Sequence, residues 1–263
     1  MNQTIKQNNE FFHCTIEDGI AVIHLQEKSF EIITNLEASN QYIDTLKAID
    51  REQQIVGVVQ IHDSTFADTA TLEQLFIKLQ GQADQSVTQL SGLLERYGNL
   101  ADRRIDLFKN FTKPLIAGFH GEITLELLGL ALPFDLRVAT HETTTVFSNL
   151  KMGFPPSGHL GYSLSRFIGM GRAMEIFVSG RPLSSEQLLA FGLVTKLTTK
   201  EELLSQCLAT AKSISGLTAL GLRATRLLMQ NDDEERKRFI NNSREVFKKT
   251  LIAHLRETKG GRV

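Results

Sequence analysis

Apolar positions along this chain recur with two periods, and the switches between them outline its elements. Residues 12–25 alternate apolar and polar side chains on either side of Asp18-Gly19, which predicts a β-hairpin. Residues 35–51 instead carry Leu36, Tyr42, Ile43, Leu46 and Ile49 at helical spacing. The apolar run 55–61 that follows reads as a buried parallel strand. A loop over 64–70 and an amphipathic helix over 71–100 come next. Two more strands, 113–119 and 136–139, bracket a helix over 124–132, and 161–169 reads as an apolar-faced helix. Ser184-Ser185-Glu186-Gln187 has the form of a capping box, with Gly192 where a residue just past a helix belongs. From Glu201 onward the pattern is nearly all helix. Strand, helix and strand alternating gives an α/β class, with a core over 1–197 and a helical section over 198–263.

Composition narrows this picture. The chain has 263 residues, 41% hydrophobic and 22% charged, enough to bury a core without staples. A formal net charge of −1 with dispersed Lys and Arg gives no reason to expect nucleic acid. Cys14 and Cys207 are far apart, lack metal-ligand spacing and read as buried thiols of a reducing compartment. The opening MNQTIKQNNEFF lacks the charged and apolar regions of a secretory leader. No apolar run approaches the roughly 20 residues that span a bilayer. A cytoplasmic protein without a membrane partner is the expectation. Gly169-Met170-Gly171 begins a G-x-G pattern, but Met174 stands where the last glycine should be. There is no P-loop, no G-x-S-x-G elbow and no histidine pair at i, i+4, so no metal is expected.

The richest stretch is 113–153, KPLIAGFHGEITLELLGLALPFDLRVATHETTTVFSNLKMG. Its Lys113-Pro114, Ile116-Ala117, Gly121, Asp135, Ala139 and Gly153 resemble, in order and spacing, the central segment of the crotonase (enoyl-CoA hydratase/isomerase) superfamily. The likeness continues through 147–169 (FSNLKMGFPPSGHLGYSLSRFIG) and 180–197 (GRPLSSEQLLAFGLVTKL). It implies a crotonase-like ββα spiral core with a helical C-terminal trimerisation section, assembled as a homotrimer or a dimer of trimers. The ligand it implies is an acyl thioester of CoA or of an acyl carrier protein. No cofactor is implied beyond the CoA or phosphopantetheine that forms part of the substrate.

The same resemblance locates the catalytic positions. Hydration of an enoyl thioester needs two backbone N–H donors for the enolate oxygen and two carboxylates that manage water and proton. Laid without gaps, the first carboxylate position holds Gly129 and the second Asn149, and neither is a general base. Leu127 takes the place of the donor glycine, and Ala67 or Asp68 would supply the second amide; Leu127 reads equally as a residue that packs the helix start. Glu122 and Glu126 stand in the same turn as alternative carboxylates, although Glu126 also suits the helix dipole and Glu122 a solvated turn. His120 reads as a hydrogen-bonded structural histidine. His159 follows a loop that the resemblance places along the acyl pocket, and its imidazole titrates near neutrality. Ser148 and Asn149 are placed to orient a carbonyl or a water, and Lys259 falls in the segment that contacts CoA.

Two functions fit these residues. One is a crotonase-class enzyme of non-standard type: isomerase, dehydratase, decarboxylase or hydrolase. The other is an inactive homologue that binds acyl-CoA or acyl carrier protein, or serves as a structural subunit. Within the first, residues 66–81 and the loop KMGFPPSGH are similar to decarboxylating homologues of polyketide β-branching. Those carry a lysine aligned near Asp84, where this chain has only Lys78 close by.

Overall fold

The hairpin forms around its turn. Strands β1 (Phe12–Glu17) and β2 (Ile20–Leu25) pair antiparallel from Phe12 opposite Leu25 to Glu17 opposite Ile20. Asp18 and Gly19 both take positive φ, 48° and 79°, the two-residue geometry that matches strand twist. The computed structural model describes residues 5–26, 28–29, 31–63, 74, 77, 81, 87–147, 150, 155–156, 160–229 and 233–260, without the side chains of 33, 87–90, 233, 251 and 254–260.

Beside the hairpin lie β3 (Gly57–Asp63), β4 (Leu115–His120), β6 (Leu136–Thr140) and β9 (Lys196–Thr198). They complete a six-stranded sheet, β1-β2-β3-β4-β6-β9, parallel from β2 onward. Strand β3 starts two residues later than its apolar run, because Ile55 and Val56 hydrogen-bond to Glu52 and Gly19 ahead of it. A second sheet of β5 (Glu122–Thr124), β7 (Thr144–Val146) and β8 (Leu183–Ser184) was not predicted. Strands of two or three residues are too short to show a period.

Helices cover both faces of the large sheet. Before β3 come α1 (Glu31–Thr34) and α2 (Leu36–Arg51). Asn35 caps α2 by accepting the Glu37 and Ala38 N–H groups. At its other end the Lys113 ammonium donates to the carbonyls of Ile49 and Glu52, cationic hydrogen bonds at a helix C-terminus. Helix α3 (Val87–Asn110) runs ten residues past its predicted end, because Ala101, Arg104, Ile105 and Phe108 continue the buried stripe. The loop expected at 64–70 lies outside the described residues.

The remaining helices are α4 (Leu125–Ala131), α5 (Leu160–Ile168), α6 (Met170–Ser179), α7 (Ser185–Ala190), α8 (Leu203–Ile214), α9 (Ala219–Met229) and α10 (Asp233–Gly260). The capping box at Ser184 and Gln187 forms as predicted, and Gly192 takes φ 70°. Helix α8, beyond residue 198, packs Leu203, Cys207 and Ala211 on Ile20, Val22, Val59, Ile116 and Val138. The alternate strand residues Ala21, Ile23, Val58, Leu115 and Ala117 face the larger core on the opposite side. Gly118 lets α8 approach: a Cβ there would lie 2.7 Å from Ile61 Cδ1 and 2.9 Å from Cys207 Sγ. Both cysteines are buried and free, and burial pushes each thiol up to about 12.

Candidate active site at the head of helix α4

Strand β4 ends at His120, and Gly121 (φ 72°) turns the chain into β5, which leads without a loop into α4. His120 Nδ1 lies 3.0 Å from Thr140 Oγ1, a hydrogen bond to the neighbouring strand that suits a structural histidine. Thr124 closes β5 and caps α4, its hydroxyl accepting the Leu127 N–H at 3.3 Å. The amide singled out as an oxyanion donor is thus engaged by its own helix cap. Glu126 sits half-buried in the first turn, and Glu122 is exposed at the start of β5. Three of the sequence-predicted site residues, Glu122, Glu126 and Leu127, therefore share one strand-to-helix turn.

Gly129 is buried one turn further on, and a Cβ built there would lie 2.9 Å from Leu160 Cδ1 and 3.6 Å from Leu160 Cβ. The position that resemblance assigns to the first hydratase carboxylate is filled by the apolar α4–α5 contact. Ala67, Asp68, Lys78, Asp84, Ser148, Asn149 and His159 lie outside the described residues, as does the Lys259 side chain on α10.

Alongside Leu127 lies a partly open cavity of about 40 Å³ that the sequence reading missed. Leu127 and Leu130 of α4 line it, with Tyr42 of α2, Gln60 and His62 of β3, and Arg104 of α3. Tyr42 O–H donates to Gln60 Oε1, and Gln60 Nε2 meets His62 Nε2 at 2.7 Å. The His62 ring packs on Phe119 with centroids 4.8 Å apart. Burial pushes the His62 imidazole down to about 3 and raises the Tyr42 phenol, so both are neutral at pH 7. Burial also lowers Arg104 to about 10, which leaves it charged. A signal was present: Gln60 interrupts an apolar strand, and Arg104 falls on the apolar stripe of its helix. Among the described residues no group of three His, Cys, Asp or Glu could hold a metal, and no helix is long and apolar enough to cross a membrane.

Comparison with known proteins places this arrangement. A family model described as "Enoyl-CoA hydratase/isomerase" matches residues 15–261. A probable enoyl-CoA hydratase of Mycobacterium tuberculosis is 34% identical over 128 residues, 48% of this chain and 45% of that protein. Human enoyl-CoA delta isomerase 2 is 25% identical over 86% of this chain and 56% of its own length. A trans-2-decenoyl-[acyl-carrier-protein] isomerase of Streptococcus mutans is 20% identical over 72% and 69%. The chain thus spans about half the length of the first curated relatives it matches. Among solved structures, an enoyl-CoA hydratase from Bacillus halodurans superposes with a TM-score of 0.73 at 23% identity, covering 94% of this chain and 96% of that one. The family match over nearly the whole chain and the shared fold agree with the landmarks from Lys113 to Gly153, and the chain belongs to the enoyl-CoA hydratase/isomerase, or crotonase, family.

Proposed function

We propose that this protein acts on an acyl thioester, of CoA or of an acyl carrier protein, and shifts a double bond through an enolate rather than adding water. The carrying observation is Gly129, buried against Leu160 where the first hydratase carboxylate would stand. Addition of water needs two carboxylates. A double-bond shift needs one base, which removes a proton from the α-carbon of a 3-enoyl thioester and returns it to the γ-carbon. Glu126 is the acid in the first turn of α4, beside the amides that would hold the enolate oxygen. The match of human enoyl-CoA delta isomerase 2 to 86% of this chain supports the same reaction class. A homotrimer is the assembly that the family resemblance favours, and exposed apolar side chains on α6 and α9 support self-association.

One observation favours a second reading, in which the protein binds a thioester without turning it over. The Leu127 N–H is already engaged by Thr124. An assay of 3-enoyl thioesters, followed by the ultraviolet absorbance of the conjugated 2-enoyl product, decides between them. Isomerisation by the wild type that is lost in Glu126→Gln supports the enzyme. Binding without conversion supports the second reading, and rapid crotonyl-CoA hydration would overturn the first.

A further inference from the structure

Arg104 is 4% exposed, and its Nε–H and Nη2–H have no hydrogen-bond partner. These two groups form one edge of the guanidinium, the edge that grips both oxygens of a carboxylate at once. The same molecule shows that fit elsewhere, where Arg226 Nε and Nη2 hold Oδ1 and Oδ2 of Asp135 at 2.8 and 2.5 Å. Among the described residues Arg104 has no such acid. No Asp or Glu lines its cavity among the described residues.

His62, which also lines the cavity, adds a further donor. Tyr42 O–H donates to Gln60 Oε1, so Gln60 turns its amide N–H toward His62 Nε2, which accepts. The neutral imidazole then carries its proton on Nδ1, and that N–H is buried with no partner. Arg104 and His62, which both line this cavity, thus hold three buried N–H donors without acceptors, and the uncompensated charge of the buried cation is costly. The cavity volume of about 40 Å³ holds a group the size of a few atoms rather than a whole ligand.

We infer that this cavity is a subsite for a carboxylate, gripped bidentately by Arg104 Nε–H and Nη2–H with His62 Nδ1–H beside it. Leu127 both lines the cavity and carries an amide at the head of α4, so the carboxylate is assigned to the far end of the acyl chain. The substrate class is then a thioester whose acyl group bears a second, terminal acid. This assignment rests on the thioester reading above, whereas the carboxylate site itself does not. A free carboxylate offers Arg104 the same chemistry.

Calorimetric titration of the full chain with glutaryl-CoA, pentanoyl-CoA and free glutarate separates the sources. Glutaryl-CoA should bind roughly tenfold or more tightly than pentanoyl-CoA, whose chain has the same length without the acid. Arg104→Met should erase that difference by weakening glutaryl-CoA binding. Arg104→Lys keeps the charge but loses the fork, should lose most of the preference, and serves if the Met variant does not fold. Equal affinities in the wild type, or a preference that survives both substitutions, would overturn the inference and leave the thioester reading standing. Arg104-dependent binding of glutarate with no binding of either thioester would uphold the carboxylate site, assign it to a free acid, and overturn the thioester reading.

Discussion

Arg226 of α9 and Asp135, at the entry to β6, are 91 residues apart and joined edge to edge, Nε to Oδ1 at 2.8 Å and Nη2 to Oδ2 at 2.5 Å. Arg226 is 5% exposed and also donates to the carbonyls of Phe111 and Lys113, while Asp135 accepts the Leu115 N–H at 2.8 Å. One ion pair therefore fastens the C-terminal section to the starts of β4 and β6, the strands that lead to the candidate site.

Removing one side of this pair strands a buried charge. Arg226→Met should lower unfolding stability by about 3–5 kcal/mol, measured by urea titration. Arg226→Lys keeps the charge and loses the two-pronged grip, and should cost about 1–3 kcal/mol. A loss below 1 kcal/mol for Arg226→Met would mean that α9 docks independently of Asp135.

The Thr124 cap makes a second prediction. Thr124→Ala removes the acceptor of the Leu127 N–H and should cost about 1 kcal/mol of stability. If a thioester carbonyl binds at that amide, the freed donor should tighten binding several-fold. Unchanged thioester affinity would place the carbonyl at another amide.

Restoring acids should not make a hydratase. Wild-type protein should show no measurable crotonyl-CoA hydration. In Gly129→Glu the new side chain meets Leu160, and overpacking should cost about 1–3 kcal/mol. The pair Gly129→Glu plus Asn149→Glu should therefore be less stable and still inactive. Efficient hydration by the double variant would show that α5 yields to the added carboxylate.

Acid should weaken the fold through His62. Its folded pKa, about 3, lies below its ordinary 6.5, so as pH falls the unfolded chain takes up the proton first. The contribution is complete above pH 6.5 and is lost toward pH 3, at about 1.4 kcal/mol per pH unit. Between pH 7 and pH 5 the wild type should lose about 2 kcal/mol more than His62→Gln in parallel denaturant titrations. Identical losses would mean that the ring gains solvent in the folded state.

Two exposed apolar stripes predict assembly. Met170, Met174 and Val178 recur every four residues on α6, and Leu220, Leu227 and Leu228 stand out on α9. Light scattering at micromolar concentration should give a trimer mass, and Met174→Lys with Leu228→Lys should lower it. A monomer mass for the wild type would count against the assembly.

Local physics made much of this protein legible in its sequence. The period-two pattern around Asp18-Gly19 allowed only a hairpin, because one face had to be buried and the turn needed positive φ. Helical spacing after Asn35 and the box at Ser184 marked helix starts that formed where they were read. The landmarks from Lys113 to Asp135 placed Glu122, Glu126 and Leu127 on one turn, because strand and helix there are contiguous. Tertiary structure decided the rest, since it sets contacts between residues with no local relation. Only packing brought Leu160 against Gly129, so that the residue in the carboxylate's place meets an apolar side chain. The strands β5, β7 and β8 exist because neighbours distant in sequence supply their hydrogen bonds. Tyr42, Gln60, His62 and Arg104 come from three elements and carry no shared spacing. Their meeting beside Leu127 depends on how α2, α3 and β3 pack, and a linear pattern does not encode which buried polar groups will face one another.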